Sequence, residues 1–252
     1  MSKGLIAIAA CIALLSHGAL AAEIKVLTAG AMQDVVVAAV PAFERQSGHK
    51  IVIAYDTAGA LANRIARGEA FDLAVLTEAG VDDLIAKNFT AAGSRMNLAK
   101  VGVGVMVKAG APRPDISTVG AFKRTLLTAR TVGYIDPASG GSSGIYFNGL
   151  IDKMGIGAEI RAKAKLKFGG AVADMVESGE AAIGIHQISE IIPHKGVTLI
   201  GPLPADIQSY TVYAAGIGRG ARDAVAAKSF ITALSSVKTG QLYRARGMEP
   251  AQ

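Results

Sequence analysis

The sequence contains one cysteine and no tryptophan among its 252 residues. The cysteine is Cys11, within the first 22 residues, so a chain that loses this segment has no disulfide, no thiol nucleophile and no cysteine metal ligand. The four histidines show no zinc-ligand spacing. No basic run is interleaved with aromatic residues, which argues against a nucleic-acid-binding surface. The formal net charge of +6 fits an anionic ligand and, equally well, a solvated basic surface.

The N-terminal residues have the pattern of a signal peptide. Lys3 supplies a positive charge, LIAIAACIALL is an apolar run, and Ala19 to Ala21 have the small-x-small spacing of a signal peptidase site. This pattern predicts a signal peptide over residues 1–21, cleavage near Ala21/Ala22 and a periplasmic location. The apolar run is shorter than the ~20 residues of a membrane span, and no later run reaches that length, so a retained anchor is the less favoured alternative.

Short apolar segments alternate with amphipathic ones along the rest of the chain. IKVLTAG, KIVIAY and FDLAVLT have the character of strands. MQDVVVAAVPAFERQSG and GALANRIARG have helical spacing and end at Gly48 and Gly68. The alternation predicts an α/β protein with mostly parallel sheets and helices on both faces.

Two passages of the sequence repeat one another. LANRIARGEAFDLAVL and VADMVESGEAAIGIHQ both run from a helix through Gly-Glu-Ala into a strand. The repetition suggests two similar lobes, although such junctions also arise by chance. We expect KVGVGVMVKAG and SYTVYAAGIG to cross between the lobes, which places lobe one at residues 22–103 and 213–252 and lobe two at residues 104–212. The C-terminal segment is expected to form a pair of helices packed on lobe one.

The stretch ASGGSSG, residues 138–144, lies between an apolar run and a helical pattern. A glycine-rich loop at a helix N-terminus offers backbone N–H groups to an anion, and Ser139, Ser142 and Ser143 add hydroxyl groups. The stretch matches neither the P-loop nor G-x-G-x-x-G, which argues against a nucleotide. It does match the G-x-S-x-G of hydrolases, but no histidine follows residue 194. A flexible linker is disfavoured because strand and helix patterns directly flank the loop.

Similar small-residue or polar junctions follow apolar runs at five places: LTAGAMQD, YDTAGALA, DPASGGSSG, KFGGAVAD and IHQISE. Any one of them is most simply an ordinary strand-to-helix turn. Together they predict several helix N-termini that converge from two lobes on a bound anion.

The sequence at these junctions resembles the periplasmic molybdate-binding protein family, which has the type-2 solute-binding fold. The resemblance covers nearly all of the chain after the signal peptide, through IKVLTAGAMQD, GALANRIARGEAFDLAVLT, GIYFNGLIDKMGI and VESGEAAIGI. It implies two lobes joined by two strands, a ligand cleft between them, and capture of the ligand by closure of the lobes. We therefore expect a monomer with no cofactor, no metal and no nucleic-acid partner that binds a small anion and serves an ABC-type permease.

The resemblance also implies where the ligand binds. Molybdate binders of this family use serine hydroxyls at the first two junctions and a tyrosine after the late strand, where this sequence has Ala31, Ala58 and Gln187. Thr28, Thr57 and Gln33 lie nearby as substitute donors. Because a buried oxyanion left without donors is unfavourable, molybdate or tungstate is the less favoured ligand. The residues expected to bind the ligand are Thr28, Gly30, Ala31, Thr57, Ala58, Gly59, Ser139, Ser142, Ser143, Gly169, Gly170 and Gln187.

A narrower resemblance is to a branch of the family that includes aconitate isomerase and proteins recognising aconitate-type carboxylates. It is carried by GAPRPDIS, AFKRTL, SGIY, HQISE and GPLPADIQSYTVY. This branch implies a larger, planar organic anion. We expect a binding protein that captures such an anion for uptake; the alternative is an aconitate isomerase that uses the same cleft. His186 or Glu190 is then the expected catalytic base, although a core histidine and a helix-capping glutamate are simpler interpretations.

Overall fold

The computed structural model describes residues 21–251, so the predicted signal peptide lies outside the described residues except for Ala21. This part of the chain contains ten β-strands and nine α-helices. The strands are β1 (Glu23–Ala29), β2 (Lys50–Asp56), β3 (Leu73–Thr77), β4 (Met96–Lys108), β5 (Val132–Ile135), β6 (Ala164–Lys167), β7 (Ile183–Gln187), β8 (Val197–Pro202), β9 (Tyr210–Ile217) and β10 (Met248–Pro250). The helices are α1 (Gly30–Ser47), α2 (Ala58–Ala66), α3 (Glu78–Ala86), α4 (Val119–Thr128), α5 (Ser142–Lys153), α6 (Gly157–Arg161), α7 (Ala173–Ser178), α8 (Ala224–Leu234) and α9 (Val237–Ala245). Short 3-10 helices cover Pro137–Ser139, Ile188–Glu190 and Ala205–Ile207.

The predicted alternation of strands and helices is confirmed. Each quoted apolar segment forms a strand, and the segments with helical spacing form α1 and α2. Gly48 ends α1 in the left-handed conformation, with a φ of 74°, and its N–H group donates to the carbonyl oxygen of Glu44. Gly68 follows α2 with a φ of 94°. Glycine adopts this conformation without a steric penalty, so it stops each helix and turns the chain toward the next strand.

The strand order is β2-β1-β3-β9-β4-β7-β5-β6, with β8 and β10 both paired to β4. β1 is parallel to β2 and β3, and β5 is parallel to β6 and β7, as predicted. The pairs that involve β4, β8, β9 or β10 are antiparallel. The prediction of mostly parallel sheets did not anticipate them, because β4 and β9 carry the chain in opposite directions between the two halves of the molecule.

β4 is shared between the two lobes. Its residues Met96–Gly102 pair with β9, whereas Val103–Met106 pair with β7. The hydrogen-bonded path of strands is therefore continuous, although the molecule has the two-lobed solute-binding fold. The lobe boundaries expected at residues 103 and 213 stay a prediction.

Helices cover both faces of the sheet in each lobe, and four apolar clusters result. In lobe one, Ile24 and Val26 of β1 point to α1, α8 and α9, whereas Leu27 points to α2 and α3. This alternation is the two-residue period of a strand that is buried on both faces. In lobe two, one cluster joins the sheet to α4, α5 and α6, and the other joins it to α7.

The repeated Gly-Glu-Ala passages form corresponding parts of the two lobes. One gives α2 and β3, and the other gives α7 and β7. β3 lies between β1 and β9, and β7 lies between β5 and β4, so each occupies the position next to a crossing strand. Gly68 and Gly179 both have positive φ. The predicted C-terminal helices are present as α8 and α9, and the rings of Phe43 on α1 and Phe230 on α8 lie 4.8 Å apart.

Candidate functional site

A cavity of about 390 Å³ lies where the carboxyl ends of the strands from both lobes meet. Its wall is built from the strand-to-helix junctions, as expected for a ligand site on open α/β sheets. The residues that line it are Gly30, Ala31, Gln33, Asp34, Tyr55, Asp56, Thr57, Ile135, Gly141, Ser142, Ser143, Gly170, Ala171, Asp174, His186, Ser189, Glu190, Pro193, His194 and Tyr213.

Two helices from opposite lobes begin at the cavity wall without a capping side chain. The N-cap residue of α1 is Ala29 and that of α5 is Gly141, and neither makes a side-chain hydrogen bond to its helix. Within residues 21–251, every other helix of at least eight residues has such a cap, supplied by Thr57, Thr77, Thr118, Asp223 and Ser236. The first N–H groups of α1 and α5 are therefore left for another acceptor, and the helix dipoles favour an anion there.

The junction between β2 and α2, YDTAGALA, contacts the opposite lobe across the cleft. The hydroxyl of Thr57 accepts a hydrogen bond from the N–H of Ala60 and donates to the carbonyl oxygen of Ser139 in the opposite lobe. The N–H of Gly59 donates to the carbonyl oxygen of Gly140 at 3.1 Å. A Cβ placed on Gly59 would lie 2.6 Å from the Cα of Gly140. The lobes thus touch through two glycines whose backbones pack without side chains.

His186 and Glu190 form a pair of titratable groups on the cavity wall. His186 Nε2 lies 3.5 Å from Glu190 Oε2, and the two side chains are 2% and 19% exposed. The Nδ1 atom of His186 is buried and has no hydrogen-bond partner among the described residues. Burial, with a smaller contribution from His194, lowers the pKa of His186 to about 3. Burial, with a smaller contribution from Asp34, raises the pKa of Glu190 to about 8.

The two pKa shifts share their main physical cause, which is burial. Removing a charged group from water disfavours its charged form, which lowers the pKa of a histidine and raises that of a carboxylic acid. At neutral pH the imidazole is therefore neutral, and the carboxyl is mostly protonated. Glu190 also lies against the first turn of α1, since a Cβ placed on Gly30 would be 2.6 Å from Glu190 Oε1. Glycine at position 30 leaves the space that this carboxyl fills.

A third group on the wall is a hydrogen-bond network around Ser142, the first residue of α5. Its Oγ lies 3.1 Å from the hydroxyl of Tyr213, and it accepts a hydrogen bond of 3.0 Å from Nε2 of Gln187. The same Nε2 donates to the hydroxyl of Thr211 at 2.9 Å. Burial above all raises the pKa of Tyr213, and the nearby Glu190 adds to the shift, so the phenol stays protonated. Tyr213 and Thr211 lie on β9, so the network joins a crossing strand to the N-terminus of α5.

The remaining acids at the cavity are each near a cation. Asp34 pairs with Arg246 at 3.2 Å, Asp174 with Lys167 at 3.0 Å, and Asp56 lies 3.8 Å from Arg64. None of the described residues that line the cavity is itself a lysine or an arginine. An anion in the cavity would therefore be held by backbone N–H groups, hydroxyls and the neutral imidazole of His186 rather than by an ion pair with a lysine or arginine.

Nine of the residues named from the sequence line the cavity. They are Gly30, Ala31, Gln33, Thr57, Ser142, Ser143, Gly170, His186 and Glu190. The structure brings these residues together from five junctions in two lobes. Their roles in binding or catalysis stay predictions.

The other expected residues lie outside the lining. Ala58, Gly59 and Gly169 are beside it, and Gly59 instead packs on the opposite lobe. Thr28 is buried, and its hydroxyl donates to the carbonyl oxygen of Ala29. The Ser139 hydroxyl donates to the carbonyl oxygen of Asp136. Gln187 is buried behind Ser142 and reaches the cavity only through it.

Several lining residues were not expected from the sequence. Asp34 lies one helical turn after Gly30, so a helix that begins at the cleft could have suggested it. Tyr213 lies on a strand that was read only as a crossing between lobes. Tyr55 precedes a junction, and His194 follows the IHQISE stretch. Ser189 also lines the cavity, and its hydroxyl donates to the carbonyl oxygen of Ala31 at 2.8 Å.

The hydrolase alternative required a histidine beside Ser142. Among the described residues, the hydroxyl of Ser142 bonds with Tyr213 and Gln187 and with no histidine. The arrangement is thus that of a hydroxyl held in place, not that of a Ser-His-acid triad.

Within residues 21–251 there is also no group of three or more His, Cys, Asp or Glu that could hold a metal ion. None of the helices in this part combines the length and the apolar character of a membrane span.

The sequence profile of the bacterial extracellular solute-binding protein family matches residues 24–249. The chain belongs to this family. The solute-binding protein is also 31% identical over 233 residues to an aconitate isomerase of a Pseudomonas species, an alignment that covers 90% of this chain and 87% of the relative. The resemblance stated from the sequence is therefore confirmed.

Solved structures confirm the fold of this solute-binding protein. The periplasmic molybdate-binding protein of Azotobacter vinelandii superposes with a TM-score of 0.75 at 19% identity, covering 91% of this chain and 100% of that one. The sulfate-binding protein SubI of Mycobacterium tuberculosis superposes with a TM-score of 0.71 at 17% identity, covering 92% and 88%. At these identities the likeness concerns the fold alone.

Proposed function

We propose that this protein is an aconitate isomerase, which binds an aconitate-type polycarboxylate between its lobes and moves one proton along the allylic system. The observation that carries the proposal is the position of Glu190. Its carboxyl lies in a cavity otherwise suited to an anion, beside a neutral His186, and pairs with no lysine or arginine among residues 21–251. Proton transfer needs a group that takes up and releases a proton near the working pH, and a carboxyl with a raised pKa is such a group.

The choice of ligand rests on the two uncapped helices. Because α1 and α5 belong to opposite lobes, an anion with charged groups at both ends satisfies both sets of N–H groups. The polycarboxylate skeleton has this form, and the 31% identical relative is an aconitate isomerase. The absence of lysine and arginine from the described lining is compatible with the ligand, since oriented neutral donors stabilise an anion without an ion pair.

The chemistry needs one base that also acts as an acid. The Glu190 carboxylate removes a proton from the CH₂ group, and the C–H electron pair spreads over the allyl system and its carboxylates. The Glu190 O–H then returns the proton to the former vinyl carbon, so the double bond moves and the glutamate regains its carboxylate form. A pKa near the working pH suits this role, because the group both takes and gives a proton.

His186 is the weaker candidate for the base. With its pKa lowered to about 3, its neutral imidazole takes up a proton only with difficulty. Its Nε2 lies 3.5 Å from the Glu190 carboxyl, which suits a role in holding that carboxyl toward the ligand. The N–H groups at the start of α5 and the Ser142 hydroxyl would stabilise the negative charge that develops on the ligand.

The test is to incubate the purified protein with pure trans-aconitate and to follow the cis isomer by chromatography. We expect turnover in the wild type, a fall of about 10²- to 10⁴-fold in Glu190→Gln and a smaller fall in His186→Ala. Glu180→Gln, at an exposed position outside the cavity, is the matched control. Tight binding of trans-aconitate with no turnover in the wild type would contradict the isomerase proposal.

A second candidate function is capture of the same anion for ABC-type uptake, without chemistry. It is favoured by the direct contact of the lobes, in which Gly59 and Thr57 bond to the backbone of Gly140 and Ser139 across the cleft. Closure of this kind is how a solute-binding protein encloses its ligand. Binding without turnover, together with ligand-dependent stimulation of a permease, would favour this function over the first.

Both functions fit the compartment that the N-terminal sequence predicts. We propose that residues 1–21 act as a signal peptide, with cleavage near Ala21/Ala22 and export to the periplasm. The intact mass of protein recovered from a periplasmic extract tests this proposal. A mass that retains residues 1–21 would contradict it.

A further inference from the structure

The hydroxyl of Ser142 has two hydrogen-bond partners on the protein side of the cleft wall. Nε2 of Gln187 can only donate, so Ser142 Oγ accepts that bond with one lone pair. Its second contact, with the hydroxyl of Tyr213 at 3.1 Å, allows either oxygen to be the donor. The direction of this second bond decides where the hydrogen of Ser142 points.

The amide of Gln187 is oriented by its own surroundings. Nε2 faces two hydroxyls, those of Ser142 and Thr211, while Oε1 is buried without a partner among the described residues. The opposite orientation would bury the NH₂ group, with two donors, without partners. One unpaired acceptor is less unfavourable than two unpaired donors, so the side chain presents donors to Ser142 and Thr211.

Exposure distinguishes the two hydroxyls that meet at 3.1 Å. Tyr213 is 2% exposed, and its hydroxyl lies 3.1 Å from Ser142 Oγ, with the amide of Gln187 as its other polar neighbour. Ser142 is half-buried and lies at the first turn of α5, on the cavity side. If Tyr213 donates to Ser142, the tyrosine is satisfied and the serine hydrogen is free. That hydrogen can then point only to the open side, which is the cavity.

We infer that Tyr213 and Gln187 are positioning residues that fill both lone pairs of Ser142 Oγ and so direct its O–H into the cleft as an obligatory donor. The atom that meets it must be a hydrogen-bond acceptor. This makes the α5 end of the site favour an ionised carboxylate oxygen over a group that presents a donor there, such as the O–H of a protonated acid or an amide NH₂. The neighbouring N–H groups at the uncapped start of α5 have the same preference. The inference extends the proposed function by assigning one end of its ligand site.

The inference also accounts for the position of Gln187. The sequence suggested that this residue binds the ligand, yet it is buried behind Ser142. Acting through the serine, it affects the ligand without touching it. Thr211, which takes the second N–H of Gln187, fixes the amide from β9.

The test is a double-mutant cycle measured by titration calorimetry with trans-aconitate, and with molybdate as a second probe. We expect Ser142→Ala to weaken binding by about 10- to 100-fold and Tyr213→Phe by about 3- to 10-fold. The double variant should bind no more weakly than Ser142→Ala, because Tyr213 acts only through the serine. Ser142→Thr, which keeps a hydroxyl, should restore most of the affinity. Tyr146→Phe removes a hydroxyl bonded to the Ile207 carbonyl oxygen away from this cavity, and it should bind like the wild type.

The outcomes separate this inference from the proposed function. Additive losses in the cycle, or a larger loss in Tyr213→Phe than in Ser142→Ala, would show that Tyr213 contacts the ligand itself and would overturn the inference. The non-additive pattern with molybdate, together with no binding of trans-aconitate, would overturn the proposed function and leave the inference standing. Failure of the wild type to bind either probe would overturn both.

Discussion

His186 Nε2 lies 3.5 Å from Glu190 Oε2, at a point where two helices from opposite lobes begin without capping side chains. Burial moves the pKa values of the two groups in opposite directions, below the ordinary range for the histidine and above it for the glutamate. The pair therefore holds a neutral imidazole beside a carboxyl that can lose and regain a proton near neutral pH.

The first prediction concerns the pH dependence of turnover. If the Glu190 carboxylate is the base, kcat/KM for trans-aconitate should rise about tenfold per pH unit below pH 8 and level off above the pKa of about 8. The bound anion disfavours a second negative charge, so the corresponding pKa in kcat should be higher. Initial rates between pH 6 and pH 9.5 measure both profiles. A kcat/KM that is flat across this range would contradict the assignment of Glu190.

The second prediction concerns stability. The pKa of Glu190 is raised from 4.5 to about 8 in the folded state, so the folded state holds a proton that the unfolded state has lost between these values. The contribution of Glu190 to the free energy of unfolding is thus fully present below pH 4.5 and is lost as the pH rises through about 8. This loss of stability should be absent in Glu190→Gln, because the amide does not ionise. At pH 9 the variant should be more stable than the wild type by about 2 to 4 kcal/mol, after allowance for the partial exposure of the side chain.

Urea unfolding at pH 5, 7 and 9 measures this difference, which should grow with pH. His186 acts in the opposite sense, because its pKa is lowered to about 3 and its contribution is lost as the pH falls from 6.5 toward 3. The comparison between pH 7 and pH 9 therefore isolates the contribution of Glu190. A constant difference between variant and wild type over these pH values would show that Glu190 is not buried as a protonated acid.

The third prediction concerns the contact between lobes. In Gly59→Ala the new Cβ would lie 2.6 Å from the Cα of Gly140, so the lobes cannot close fully. Ligand affinity should fall by about tenfold or more, since the closed state is the one that encloses the ligand. Stability should not fall, because opening the cleft relieves the contact and alanine is favoured over glycine in α2 by about 0.5 to 1 kcal/mol.

Calorimetry with trans-aconitate and small-angle X-ray scattering with and without ligand measure these effects. Gly149→Ala is the matched control, because Gly149 also lies inside a helix but a Cβ there meets nothing within 4 Å. It should bind and compact like the wild type. Equal affinity in Gly59→Ala and the wild type would show that this contact is not part of ligand capture.

The fourth prediction concerns Asp72, a carboxylate that holds lobe one together. Asp72 is 3% exposed, and it accepts hydrogen bonds from the backbone N–H groups of Lys25 and Arg222, each at 2.7 Å. Burial opposes its charge, but these bonds and the Arg222 side chain prevail and lower its pKa. Asp72→Asn places an NH₂ group against an N–H donor and should destabilise the fold by about 1.5 to 3 kcal/mol.

Chemical unfolding at pH 7 measures this loss, with Asp83→Asn as the control because Asp83 on α3 forms an exposed pair with Lys87, the residue after the helix. Because the folded pKa of Asp72 is lowered, its contribution is present above the unfolded pKa and is lost as the pH falls through the folded value. The difference between Asp72→Asn and the wild type should therefore shrink in acid. A destabilisation no greater than that of the control would contradict this role.

The sequence predicted the fold well because the relevant signals are local. A glycine that follows a segment with helical spacing ends the helix, as Gly48 and Gly68 do here. The apolar runs are long enough to indicate buried strands. The antiparallel strands were not anticipated, because strand direction depends on how β4 passes between lobes rather than on its composition.

The cavity was predictable in outline but not in its individual side chains. Thr28 lies near the end of β1 and Ser139 follows β5, yet their hydroxyls bond to neighbouring carbonyl oxygens instead of facing the cleft. Tyr213 was missed because nothing in the sequence of β9 distinguishes the residue that faces the α5 N-terminus. The contact of Gly59 with Gly140 depends on how the two lobes meet, which no local pattern encodes.

The most direct test of the central claim is to measure by titration calorimetry which anion the wild type binds. The panel is trans-aconitate, cis-aconitate, tricarballylate, citrate, molybdate, tungstate and sulfate. A cleft with uncapped helices in both lobes and an ionisable carboxyl between them should bind the aconitates more tightly than the inorganic anions. Tight binding of molybdate, with no detectable binding of any carboxylate, would contradict the account.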